Sequence, residues 1–188
     1  MIPAAEAMRV IEGLRGQAVV VSTSRPLREW CLVSKRRELD VEITDCMDKA
    51  TGVALGIALA CPERRILSLD SDAILRTNTG ALITTGGVGP KNLIHFLLED
   101  GDHLSTQGKA IPGLDGMDFS ALARGAGYPR VYSFNDLEDL TLSLDEVLRG
   151  DGPVFVALRV RYDPGLPPYP RGTLAQSLAR VKEVLASE

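Results

Sequence analysis

Short apolar runs rich in β-branched residues alternate along this chain with longer stretches of helical period. Ala18–Ser22 (AVVVS) reads as a buried strand after an amphipathic opening helix. Arg65–Asp70, Asn92–Leu98, Arg130–Phe134 and Val154–Val160 repeat the strand pattern, and Leu39–Ile43 forms a shorter candidate. Between them the spacing predicts helices over Pro26–Arg37, with Ser24 as N-cap, and over Asp48–Ala60, Asp72–Thr84 and Phe119–Ala126. Leu137–Arg149, with Asn135 as candidate cap, and Thr173–Ala186 complete the helices. Strand followed by helix, repeated, implies an α/β fold: a doubly wound, mostly parallel sheet with helices on both faces. Asp163–Gly172 (DPGLPPYPRG) holds four prolines and reads as an extended arm carrying the last helix, either a plain linker or a contact for a partner.

The 188 residues suit one domain, 1–188. A net charge of −4 gives no footprint for nucleic acid, which demands clustered Lys and Arg; Lys35-Arg36-Arg37 reads as a solvated helix end. The longest apolar run, Val53–Cys61, is too short to cross a membrane, and no signal-peptide core opens the chain, so the cytoplasm is the expected location. Cys31, Cys46 and Cys61 follow no metal-ligand or disulfide spacing and read as buried thiols.

Ligands of doubly wound sheets bind beyond the carboxyl ends of the strands. Hydroxyls, carboxylates and small residues gather at those ends: Ser22-Thr23-Ser24, Asp45-Cys46-Met47-Asp48, Asp70-Ser71-Asp72-Ala73 and Glu99-Asp100-Gly101-Asp102-His103. Asp72, at a strand-to-helix junction, is placed either to cap its helix or to hold a hard cation such as Mg²⁺.

The run from Gly56 to Gly108, with LDSDAILRTNTGALITTGG and PKNLIHFLLEDGD inside it, resembles the cofactor-binding motif of thiamine-diphosphate enzymes. DFSALARGAGY, NDLEDL and GPVFVALRV extend the likeness over nearly the whole chain. It is similar to the C-terminal, diphosphate-binding domain of that family, in particular to sulfopyruvate decarboxylase β subunits and the C-terminal part of phosphonopyruvate decarboxylases. The family's Gly-Asp-Gly stands here as Ser71-Asp72-Ala73, and its closing Asn-Asn as Glu99-Asp100.

The resemblance implies thiamine diphosphate and Mg as cofactors, with Asp72, Asp100 and the backbone carbonyl of Asp102 as metal ligands. It also implies cofactor contacts from Ser22, Thr23, Ser24, Cys46, Met47, Ser71, Asp72, Ala73, Asp100 and His103. The implied activity is decarboxylation of a small 2-oxo acid. In this family a second domain holds the pyrimidine and supplies an activating Glu. The resemblance therefore assigns this chain no catalytic acid or base, and implies a pyrimidine-binding, α-type partner in a hetero-oligomer, with a homo-oligomer as the other arrangement. A degenerate, non-catalytic subunit is the alternative, because the signature residues are replaced. A 2-oxo acid oxidoreductase subunit fits less well, since the cysteine spacing houses no iron–sulfur cluster. Two like charges 4–5 Å apart repel by roughly 3–4 kcal/mol at an effective dielectric near 20. Inward-pointing Asp48, Glu99 and Asp102 would therefore crowd the site. A left-handed backbone at Ser71 or Ala73 would add strain.

Overall fold

A computed structural model describes residues 1–100 and 116–187. Its strands are β1 (Ile2–Pro3), β2 (Val19–Thr23), β3 (Asp40–Ile43), β4 (Ile66–Ser71), β5 (Leu93–Glu99), β6 (Arg130–Phe134) and β7 (Val154–Arg161). All pairings among them are parallel, in the order β3-β2-β4-β5-β7. Both β6 and β1 lie along the outer side of β7, β6 against Val154–Leu158 and β1 against Val160 and Arg161.

The helices are α1 (Ala4–Leu14), α2 (Ser24–Val33), α3 (Ala50–Ala60), α4 (Asp72–Leu75), α5 (Gly80–Val88), α6 (Phe119–Gly125), α7 (Leu137–Arg149) and α8 (Leu174–Ala186). Period-2 alternation sends successive strand residues to opposite faces. Val20, Leu67, Leu69, Ile94, Phe96 and Val156 meet α1, α7 and Trp30 of α2 on one face. On the other, Val19, Val21, Ile66 and Leu93 meet α3 and α8, while Leu97, Phe155 and Ala157 meet α5 and α6. The sheet is thus covered on both sides, as the apolar strand runs imply.

Three expectations are corrected. Helix α2 starts at Ser24 itself, so Thr23 rather than Ser24 stands at the N-cap. The stretch Asp72–Thr84 is not one helix: α4 stops after a single turn, a 3₁₀ turn spans Arg76–Asn78, and α5 begins at Gly80. Thr77, Asn78, Thr79 and Gly80 are poor helix formers, and four together break the run. The cap of α7 is Asp136 rather than Asn135; its carboxylate accepts from the backbone N–H of Glu138 (2.8 Å) and Asp139 (3.4 Å).

Residues 163–172 form the expected irregular arm, which leads from the end of β7 to α8 on the far edge of the sheet. Arg28 of α2 ties it down, donating from Nε to the Pro167 carbonyl and from Nη2 to that of Leu166 (2.6 Å). Thr44, just past β3, donates to the Gly172 carbonyl (2.9 Å). Helix α8 then lies along β3. Ser177 Oγ accepts from the Glu42 N–H (3.2 Å), and Arg180 donates to the Asp40 carbonyl (2.9 Å).

A buried polar cluster joins three elements on the α1 face. Arg15 donates to Asp40 (2.9 Å), to Glu12 (3.4 Å), to Ser34 Oγ (3.2 Å) and to the Ala18 carbonyl (2.9 Å), and its guanidinium lies 5.3 Å over Trp30.

Helices α5 and α6 approach so closely that Gly86 has no room for a side chain: a Cβ there would stand 2.0 Å from the Ala126 carbonyl oxygen. Gly86→Ala is expected to force the two backbones apart at a cost of about 1–3 kcal/mol, the range for overpacking. A lowered denaturant midpoint with an unchanged slope is the check.

Candidate functional site

The chain reverses its direction of progress across the sheet between β2 and β4. From β2 it runs outward to β3; from β4 it runs the other way, to β5 and β7. Such a switch point leaves a crevice beyond the carboxyl ends of the two strands. Register places the strand ends side by side: Ser22 is level with Leu69, Ser71 with Leu98, and Glu99 with Arg159. Ser22-Thr23-Ser24, Ser71-Asp72-Ala73 and Glu99-Asp100 therefore converge on one rim.

The rim is built from buried polar groups. Ser22 Oγ and Ser71 Oγ are enclosed and have no hydrogen-bond partner in the protein. Thr23 Oγ1 is committed to the neighbouring loop, donating to the Met47 carbonyl (3.1 Å). Ser24, the first residue of α2, has φ +55°; among the described residues it is the one non-glycine in the left-handed region. That conformation costs of order 1 kcal/mol and characteristically persists at binding sites. Ser71 is extended at φ −117°, and Ala73 also avoids positive φ, so the left-handed strain considered for these two positions is absent.

Asp72 heads α4 with 3% of its surface exposed, and its Oδ1 accepts the Ala73 N–H at 2.7 Å. Asp100 follows β5 and pairs with Arg25 of α2; both side chains are nearly buried. Tyr162, just beyond β7, sits among these groups. Its hydroxyl is enclosed without a hydrogen-bond partner, and the Arg25 guanidinium lies 5.2 Å over its ring. Burial drives the phenol pKa well up; the charges of Asp100, Asp72 and Glu29 push the same way, against Arg25.

Of the carboxylates expected to crowd the site, Asp48 and Glu99 each have a basic neighbour. Glu99 meets Arg159 at 3.6 Å and lines a separate cleft of 480 Å³ with Asp118, Ser133 and Arg124. Burial raises its pKa, Arg159 opposes this, and Asp72 and Asp118 add to it. Asp48 turns to Lys49. Asp102 and His103 lie outside the described residues. Met47 is half-buried and starts a 3₁₀ turn, and Cys46 Sγ lies 3.8 Å from Asp45. Burial and the Asp45 charge raise the Cys46 thiol, which opposes a nucleophilic role.

Asp70, one residue inside the rim, accepts the Ser71 N–H (2.8 Å) and the Thr51 hydroxyl (3.3 Å), and it faces the fully buried His95 at 3.8 Å. Sequence reasoning missed Arg25, Arg159 and Tyr162. Extending the strand-end rule to β7 would have reached Tyr162, which directly follows its last residue. Arg25 directly follows the strand-end run Ser22–Ser24 in the same way, whereas Arg159 carries no local signal.

These residues suit a diphosphate held through a divalent cation. Two buried hydroxyls without partners lie at the strand ends, and Asp72 and Asp100 could supply hard oxygen donors of the kind Mg²⁺ prefers. Among the described residues no three His, Cys, Asp or Glu side chains converge as a metal site.

The family described as thiamine pyrophosphate enzyme, C-terminal TPP binding domain, matches residues 28–158. The chain belongs to this family. It is 34% identical over 147 residues to the phosphonopyruvate decarboxylase of Streptomyces viridochromogenes, covering 78% of this chain and 36% of that one. To the sulfopyruvate decarboxylase subunit beta of Methanothermobacter thermautotrophicus it is 31% identical over 162 residues, covering 86% of this chain and 83% of the relative. This chain thus spans little more than a third of the phosphonopyruvate decarboxylase, but most of the β subunit. Among solved structures, the thiamine diphosphate-dependent 4-hydroxybenzoylformate decarboxylase of Rhodococcus jostii RHA1 superposes with a TM-score of 0.69 at 20% identity, over 87% of this chain and 33% of that one. The last likeness establishes the fold alone.

Proposed function

We propose that the chain is the diphosphate-binding, β-type subunit of a thiamine diphosphate- and Mg²⁺-dependent decarboxylase of a small 2-oxo acid, of the sulfopyruvate or phosphonopyruvate type. The observation that carries this reading is the switch-point rim, where buried, unpartnered Ser22 and Ser71 hydroxyls stand beside the buried Asp72 carboxylate. Asp72 and Asp100 would hold the cation; Ser22, Ser71 and the backbone at Ser24 would meet the diphosphate, and Met47 the ring system. When bound, thiamine diphosphate supplies the electron sink that accepts the charge left as CO₂ departs.

The chain's own residues bind and orient; the activating Glu and the pyrimidine site come from an α-type partner in a cytoplasmic hetero-oligomer. Ile83 and Val88 of α5 and Leu122 of α6 are exposed apolar side chains on neighbouring helices, and they offer a surface for such a partner. Among the described residues no helix is long and apolar enough to cross a membrane.

Calorimetry with thiamine diphosphate and Mg²⁺, with the partner subunit present, is expected to give saturable binding that EDTA abolishes. No heat at millimolar ligand would remove the cofactor claim. It would favour the second reading, a non-catalytic subunit of the same fold. One observation supports that alternative: Asp100 is already neutralised by Arg25.

A further inference from the structure

The carboxyl end of β7 opens onto a cleft of 440 Å³ that shares Arg25 and Asp100 with the rim. Arg25, Arg28 and Arg161 line it, with Asp100 and Asp163 as its carboxylates. Three guanidinium groups against two carboxylates leave an excess of positive charge.

The three cations are held differently. Arg25 pairs with Asp100. Arg28 is held by the Leu166 and Pro167 carbonyls and the face of Tyr169 at 5.2 Å, and its charge also acts on Glu29. Arg161 is exposed and has no acidic partner among the described residues. Tyr162 adds an enclosed hydroxyl without a hydrogen-bond partner beside Arg25.

We propose that this cleft receives a tetrahedral oxyanion, the phosphonate or sulfonate group of a short 2-oxo acid. The inference rests on the decarboxylase reading above. A planar carboxylate is satisfied by one guanidinium fork, whereas a tetrahedral oxyanion presents three oxygens and is held best by several cations at once. Because Asp100 borders both the cleft and the rim, an acid bound here lies one side chain from the proposed cation. Arg25, which touches Asp100 and lines the cleft, couples the two sites. The same oxyanion chemistry is found in the cofactor's own diphosphate, and the test separates the two sources.

The full chain is titrated by calorimetry without thiamine diphosphate or Mg²⁺, using 3-phosphonopropionate as probe and propionate as control. Binding of the phosphonate but not of propionate is expected. Arg25→Met and Arg161→Ala should each weaken it by roughly tenfold, the worth of one charged hydrogen bond. Arg161 is exposed, so its variant keeps the fold, which a melting curve verifies. If the phosphonate fails to bind, or binds both variants as tightly as the parent, the assignment is overturned. The cofactor calorimetry above then still decides the decarboxylase reading independently. If thiamine diphosphate displaces the phosphonate from the parent chain, the cleft serves the cofactor, and the substrate assignment is equally overturned.

Discussion

Replacing Asp72 with Asn is expected to weaken Mg²⁺-dependent thiamine diphosphate binding by on the order of 100-fold, more than is usual for losing a supporting contact around a metal. Decarboxylation by the complex with its partner should fall at least as far. The substitution keeps an oxygen able to accept the Ala73 N–H and removes the charge. The fold should therefore survive, which an unchanged melting curve verifies. Calorimetry, turnover and a melting curve on the same preparation separate the two effects. Unchanged cofactor affinity would move the metal site elsewhere.

Arg15→Met should be the most destabilising of the substitutions considered. It strands two carboxylates, Asp40 and Glu12, whose side chains are 2% and 5% exposed. Breaking a buried pair from one side costs about 3–5 kcal/mol. At about 2–4 °C per kcal/mol for a chain of this size, the melting temperature should drop by roughly 6–20 °C. Adding Asp40→Asn and Glu12→Gln to the same chain should recover part of the loss, since the penalty belongs to the stranded charges rather than to the missing cation. A triple variant no more stable than Arg15→Met would instead assign the loss to packing against Trp30.

The sheet was legible because its strands are short, apolar and β-branched. The runs Ala18–Ser22, Arg65–Asp70 and Asn92–Leu98 correspond to strands that begin and end one residue later, at Thr23, Ser71 and Glu99. The displacement has one cause. Polar side chains at the carboxyl ends still join the backbone ladder, and hydropathy does not register them as strand. Those same residues form the rim, so the site lies where the periodic signal fades. The two-residue β1 is too short to leave a pattern. The Arg25–Asp100 pair spans 75 positions and depends on the β2-to-β5 arrangement, which no local spacing encodes. The Glu99–Arg159 contact was hidden for the same reason: Arg159 becomes its neighbour only through the β5–β7 register.

Among the described residues β3 has a single strand neighbour, and on its other side the peptide groups of Asp40 and Glu42 are met by Arg180 and Ser177 of α8. An open strand edge is a template for another chain. The last helix therefore also acts as a guard against self-association. Truncating the chain before Thr173 would remove that helix and leave an edge strand competent to recruit a second copy.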